Sequence, residues 1–230
     1  MRNKVLFSFL ILSAIIIFPV AGCSDESSPT DSGIQPFLID TTHSPIDTSV
    51  SVRKPNIYLY PETKTSLSVR LVFLSGGTVT ESIPEYSGEW RIEAEPNGKI
   101  NSTYDYLFYE CRTPDLYQYN YGWIIRRDSL LNFFQSHLGE TGFSKKEIND
   151  FTEYWIPRLA ENPYYIIYPQ FSNDIDKLIQ LKITPSPDNL IRLYYVIKGS
   201  ENNDMVLSNP PLSEFKREGF AVAEWGVVLK

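Results

Sequence analysis

The region between residues 55 and 111 alternates apolar and polar side chains, and this period of two is typical of β-strands with one buried face. The first apolar face is formed by Leu67, Val69, Leu71 and Phe73. A second run places Val79, Glu81 and Ile83 on one side, and a third places Trp90, Ile92 and Ala94 opposite charged residues. Short strands at this spacing predict a β-sandwich-like N-terminal part.

The apolar period changes to 3.6 residues from Asp128, which predicts a first helix. Its apolar stripe is Leu130, Leu131, Phe134 and Leu138. We expect Asp128 or Ser129 to cap the N-terminus and Gly139 to stop the helix.

A second helix is predicted to begin at Ser144, because Ser144 and Glu147 have the spacing of a capping box. Its apolar stripe is Ile148, Phe151, Trp155 and Leu159. Pro157 lies within this stripe and cannot donate a backbone hydrogen bond, so we expect a kink or an early end near Ile156.

Strand patterns return in residues 164–170, 190–199 and 219–230. The last of these is apolar on both faces, which predicts a central strand that is covered on both sides. The chain is therefore predicted to be α+β, with a β-sandwich-like part, two helices and a further, mostly antiparallel β part. The globular region is expected to span residues 55–230, with a possible subdivision into 55–122 and 123–230.

Two charged residues interrupt apolar strand faces. Glu224 lies on an otherwise apolar face, where an unpaired carboxylate would cost several kcal/mol. Arg192 likewise lies on an apolar face of its strand, with Tyr194 and Val196. If the two strands are neighbours, we predict a buried ion pair between Arg192 and Glu224. Alternatively, Glu224 is a catalytic acid that works with Glu110 or Glu62 across a cleft, as glycoside hydrolysis requires.

Tyrosine is unusually dense between residues 104 and 123, which include six tyrosines. A tyrosine combines an apolar ring with a polar tip, and a set of them near turns suits a surface that binds sugars or peptides. The candidate ligand-binding residues are Tyr109, Tyr117, Tyr119, Tyr121 and Trp123. The alternative is that this stretch forms a core strand and a loop packed against it.

The N-terminus has the order of features found in an export signal. Arg2 and Lys4 precede sixteen uncharged residues, Val5–Val20, and this run is shorter than the roughly 20 residues of a transmembrane helix. The sequence Val20–Cys23 resembles the lipobox of bacterial lipoproteins, in which a diacylglycerol is attached to the cysteine sulfur and the chain is cut before it. The alternatives are a disulfide between Cys23 and Cys111 or an uncleaved signal anchor.

This resemblance implies a signal peptide at residues 1–22 and lipidation of Cys23, with palmitate among the attached acyl chains. Residues 23–54 are rich in Ser, Thr, Asp and Pro and lack sustained apolar periodicity, so we predict a disordered tether. The protein is then expected to be exported and held by lipid at the bacterial cell membrane or outer membrane.

Charge and motif content limit the possible functions. Removal of Arg2 and Lys4 leaves 21 − 2 = 19 basic residues against 28 acidic ones, a net charge of −9 that excludes nucleic acid as a main partner. His137, the one histidine beyond the tether, is interpreted as a packing residue, and no metal or cofactor motif is present. No catalytic motif is recognisable. The sequence favours a module that binds a glycan, a peptide or an envelope protein, with a carboxylate-dependent, glycan-directed hydrolase as the alternative.

Five motifs in order resemble a family of uncharacterised bacterial secreted proteins and lipoproteins. They are a KPxIYLYPE opening, a YxYLF-aromatic-E stretch, a YWxP helix, an ITPxPD turn and a closing GFxVxEWG. In this chain they stand at Lys54–Glu62, Tyr104–Glu110, Tyr154–Pro157, Ile183–Asp188 and Gly219–Gly226. The resemblance implies an exported protein and brings no activity with it.

Overall fold

The structure, a computed structural model, describes residues 48–211 and 215–230. The strands are β1 (Ser49–Tyr60), β2 (Thr65–Phe73), β3 (Thr78–Ile83), β4 (Trp90–Ala94), β5 (Leu107–Pro114), β6 (Trp123–Arg126), β7 (Tyr164–Phe171), β8 (Ile179–Thr184), β9 (Asn189–Ser200) and β10 (Ala221–Leu229). The helices are α1 (Leu130–Glu140), α2 (Lys145–Trp155) and the short α3 (Ser172–Ile175). The predicted α+β class is confirmed.

The predicted signal peptide, the lipidation site Cys23 and tether residues 23–47 lie outside the described residues. The end of the predicted tether does not: β1 begins at Ser49, so residues 49–54 belong to a sheet. Within residues 48–211 and 215–230, no helix has both the length and the apolar character needed to cross a bilayer.

The strands form two sheets. The large sheet has the order β3-β5-β1-β10-β9-β7-β6, and the small sheet has the order β4-β2-β8. Neighbouring strands are antiparallel except β9 and β10, which are parallel. Each sheet combines strands from both halves of the chain, since β1 pairs with β10 and β2 pairs with β8.

The large sheet is the middle layer of three. The small sheet packs on one face, where the core includes Val69, Trp90, Tyr109, Tyr194 and Val222. Helices α1 and α2 pack on the other face, where the core includes Phe134, Phe151, Trp155, Tyr195 and Trp225. Strand β10 contributes to both cores, and its apolar residues on both faces reflect this central position.

The helices begin and end for reasons visible in the sequence. At the start of α2 the predicted capping box forms, with the Glu147 N–H donating to Ser144 Oγ and the Ser144 N–H donating to Glu147 Oε2 at 2.8 Å. This helix ends at Trp155, and Pro157 lies in the single 3₁₀ turn that follows, as predicted. In α1, Ser129 is the N-cap residue, and the helix ends one residue after Gly139.

The helical layer does not cover the whole sheet. Its core takes residues from β1, β6, β7, β9 and β10, but it contains no residue of β3 or β5. The two strands at this edge therefore have an open face beside α2, and a cleft lies there.

Candidate functional site

A β-bulge in β3 determines which side chains enter this cleft. Val79 pairs with Cys111 but Glu81 pairs with Glu110, so Thr80 is an extra residue in β3. Val79 consequently packs into the core between the sheets, whereas Glu81 lines the cleft. The prediction that these two residues share a face is wrong, because the bulge shifts the alternation by one residue.

A second bulge lies in β1, on the other side of β5. Four residue steps in β1, from Val52 to Asn56, are matched by three in β5, so β1 contains one extra residue. Within this bulge Lys54 has a φ of +56°, which is costly for a residue with a side chain and more so before Pro55. Bulges and strained backbone are concentrated at functional sites, and here two bulges flank the same strand.

At this strained position the Lys54 ammonium lies among aromatic rings. The ammonium lies 4.6 Å from the ring centres of Tyr106 and Phe108 and 5.6 Å from that of Tyr154. It donates hydrogen bonds to Asn56 Oδ1 at 3.1 Å and to the Tyr106 hydroxyl at 3.2 Å. An ammonium has three donors, so one N–H remains available to a ligand.

The Lys54 cleft has a volume of about 480 Å³. Its lining is Lys54, Glu81, Ile83, Thr103, Tyr104, Asp105, Tyr106, Phe108, Glu110 and Tyr154. Asp105 forms an ion pair with Lys99 at 2.9 Å. Among the described residues, Glu81 and Glu110 have no cation within 4.0 Å, and Lys54 has no carboxylate within that distance. The cleft therefore contains three charges that lack an ionic partner within the described part of the chain.

Glu81 and Glu110 lie directly opposite each other on antiparallel strands. In that geometry the Cβ atoms are about 4.5–5.5 Å apart, and like charges destabilise the sheet. The arrangement is unfavourable for the protein alone and favourable for a ligand that donates to both carboxylates.

The charged residues predicted to share the core do lie together. Arg192 and Glu224 occupy facing positions on the parallel strands β9 and β10, and Arg192 Nε donates to Glu224 Oε2 at 2.5 Å. The hydroxyls of Tyr109 and Tyr194 each donate to Glu224 Oε1 at 2.7 Å. Arg192 also donates to Asp176 at 2.6 Å. Both Arg192 and Glu224 are 0% exposed, so the pair lies in the core and not at the surface.

The same cluster fixes the state of its tyrosines. Burial raises the pKa of Tyr109 and Tyr194 well above the usual value, and the negative charge of Glu224 raises both further. Both hydroxyls therefore stay protonated and act as donors. Glu110 follows Tyr109 in β5 and points to the opposite face of the sheet, while Glu62 is exposed in the turn after β1. Neither carboxylate forms a catalytic pair with the buried Glu224.

The five aromatic residues predicted to bind ligand do not form one surface. They are Tyr109, Tyr117, Tyr119, Tyr121 and Trp123. Tyr109 and Tyr117 are buried in the core between the sheets, so neither can contact a ligand at the surface. The Tyr119 hydroxyl donates to Asp115, the Tyr121 hydroxyl donates to Asp174, and Trp123 packs edge-on against Phe133. The aromatic residues of the cleft come instead from the start of the same tyrosine-rich stretch and from α2.

His137 packs between the helices and the large sheet. Its Nδ1 lies 2.6 Å from the Tyr195 hydroxyl, and its ring is 4.6 Å from that of Trp123. Burial lowers the pKa of His137 to about 4. Within residues 48–211 and 215–230, no group of three potential metal ligands comes together.

No protein-family model, no curated protein and no solved structure matches this chain. The family resemblance of its five motifs remains a prediction, and a functional assignment depends on the chemistry of the Lys54 cleft.

Proposed function

We propose that this chain is a bacterial envelope lipoprotein that binds a ligand in the Lys54 cleft. The proposal depends on three charges that have no ionic partner among residues 48–211 and 215–230. Two β-bulges position these charges, and aromatic rings form the walls around them. Such a site resembles the usual form of a small-molecule site, in which apolar walls surround a few convergent polar groups.

Glycans and peptides are the ligand classes that suit these walls. The rings of Tyr106 and Tyr154 combine apolar faces with hydroxyl groups, and both rings are partly exposed in the cleft. Sugars and peptides present apolar surface next to hydrogen-bonding groups, so they match rings of this kind. The mature chain remains an unsuitable partner for nucleic acid because its net charge is strongly negative.

Anchoring is proposed from the order of features at the N-terminus, where positive residues, an apolar run and small residues precede Cys23. Lipid on this sulfur would tether the domain through the segment before β1. Growth with radiolabelled palmitate tests the attachment. The wild-type chain is expected to take up label and the Cys23→Ser variant is not, and label on that variant would refute the site.

Binding is tested by thermal shift and calorimetry on the full chain in detergent, with a panel of soluble glycans, amino acids and short peptides. Lys54→Met keeps the length of the side chain but removes the ammonium. We expect a panel member that stabilises the wild-type chain to lose most of its affinity for this variant. Lys182→Met, on the exposed outer face of the small sheet, is the matched control and keeps the affinity. Equal affinity for wild type and Lys54→Met would remove the cleft as the binding site.

A second candidate function is glycan hydrolysis by Glu81 and Glu110. The observation that favours it is their facing position, since retaining glycosidases hold two carboxyl groups about 5–5.5 Å apart. This candidate predicts that Glu110→Gln abolishes cleavage of a glycan that wild type hydrolyses, with a Tm at least as high as that of wild type because the repulsion of Glu81 is removed. The exposed Glu201→Gln variant is the control. If the wild-type chain binds a glycan without cleaving it, the hydrolase candidate is wrong and only the binding function remains.

A further inference from the structure

The three unpaired charges of the Lys54 cleft come from three neighbouring strands, the positive one from β1 and the negative ones from β3 and β5. Lys54 projects from the bulge of β1, on one side of β5, and Glu81 projects from the bulge of β3, on the other side. Glu110 lies on β5 between them. Because Lys54 forms no ion pair with either carboxylate, the ammonium and the carboxylates are more than 4.0 Å apart.

Lys54 has neutral partners in the cleft, whereas Glu81 and Glu110 face each other. The Lys54 ammonium is supported by the faces of Tyr106 and Phe108 and by Asn56 Oδ1, which are weaker partners than a carboxylate. Glu81 and Glu110 repel each other at facing positions. A cation between the two carboxylates would remove this repulsion, and an anion beside Lys54 would complete its third hydrogen bond.

From this arrangement we infer that the ligand is zwitterionic, namely an amino acid or a short peptide that carries a free amine and a free carboxylate. The inference rests on the proposed binding function of the Lys54 cleft. The ligand's ammonium lies between Glu81 and Glu110, its carboxylate accepts from Lys54, and its carbon atoms contact Ile83 and the aromatic rings.

Ligands with one sign of charge fit less well. An anion without an amine would approach Lys54 but would also face two carboxylates, and a cation without a carboxylate would face the Lys54 ammonium. A zwitterion satisfies both ends. The cleft volume of about 480 Å³ falls within the usual range for small ligands and is sufficient for a dipeptide.

The test is calorimetry of the full chain in detergent with four probes: dialanine, N-acetyl-dialanine, dialanine amide and the doubly blocked N-acetyl-dialanine amide. Dialanine is expected to bind, and each block is expected to weaken binding by about ten- to hundredfold, the value of a charge-assisted hydrogen bond. Free amino acids and trialanine extend the series to shorter and longer zwitterions.

Variants assign each end of the ligand. In Lys54→Met, dialanine and its amide are expected to bind with the same affinity, because the partner of the carboxylate is gone. In Glu110→Gln, the difference in affinity between dialanine and N-acetyl-dialanine is expected to be smaller than in wild type, because one partner of the ligand's amine is gone. Lys182→Met and Glu201→Gln keep the wild-type order of affinities, and thermal unfolding checks that no variant has a lower Tm than wild type.

The failure of this inference differs from the failure of the proposed function. If the doubly blocked probe binds wild type as tightly as dialanine and Lys54→Met loses both, the zwitterion is wrong while the cleft remains the site. The same conclusion holds if no amino acid or peptide binds but a glycan does, and if binding of that glycan requires Lys54. Dialanine binding that is unaffected by Lys54→Met overturns both.

Discussion

The Glu224→Gln variant removes a buried negative charge while keeping the side-chain volume. In the wild-type chain this carboxylate accepts hydrogen bonds from Arg192 at 2.5 Å and from Tyr109 and Tyr194 at 2.7 Å. A glutamine oxygen can still accept from the tyrosines, but its amide group does not neutralise the guanidinium. The variant therefore leaves Arg192 charged inside the core with a weaker set of partners.

The expected loss of stability in Glu224→Gln follows from the burial of the ion pair. Both members of the pair are 0% exposed, and breaking a buried ion pair costs about 3–5 kcal/mol. Arg192 keeps Asp176 as a second partner, whose side chain is 46% exposed and so neutralises the charge only in part. We expect a loss near the lower limit, about 3 kcal/mol, and a Tm lower by roughly 6–12 °C.

Urea unfolding followed by tryptophan fluorescence measures this loss, since Trp155 and Trp225 are buried in the helix-side core. The double variant Arg192→Met with Glu224→Gln has neither charge and is expected to be more stable than Glu224→Gln alone. A loss below about 1 kcal/mol for the single variant, or a double variant that is the less stable of the two, would refute the reasoning.

Three further predictions concern His137, Cys111 and the cap of α2. Because burial lowers the pKa of His137 to about 4, the unfolded chain binds a proton first as the pH falls. Stability should decrease between about pH 6.5 and pH 4, by less in His137→Gln, and an NMR titration midpoint near 6.5 would contradict this. Burial raises the pKa of Cys111, so its thiol should react with a thiol reagent only in urea and not in the native chain. Ser144→Ala removes half of the capping box of α2 and should cost about 1 kcal/mol in urea unfolding, whereas no loss would show that the cap contributes nothing.

The sequence predicts those parts of the fold that depend on local chemistry. The capping box at Ser144 and the end of α2 before Pro157 follow from hydrogen bonds within a few residues. The central position of β10 follows from apolar side chains on both of its faces. How β1 and β2 are divided between two sheets does not follow, because local alternation is the same whichever partner a strand has.

The candidate site is harder to predict because it depends on bulges. A strand with strict alternation would direct Val79 and Glu81 to the same face, and one inserted residue separates them. The sequence does contain one indication, since Pro55 interrupts an apolar strand and proline in a central strand requires a bulge. Pairing of residues more than 25 positions apart brings Glu81 to Glu110, and single-sequence periodicity carries no information about such pairing.

The first and the last strands of the described chain are hydrogen-bonded neighbours at the middle of the large sheet. During synthesis β1 leaves the ribosome early, yet its neighbour β10 follows only about 170 residues later. Until then β1 and β9 each have an unpaired backbone edge that can associate with other chains. The sheet can therefore close only once β10 is available, and a chain that stops before β10 should aggregate.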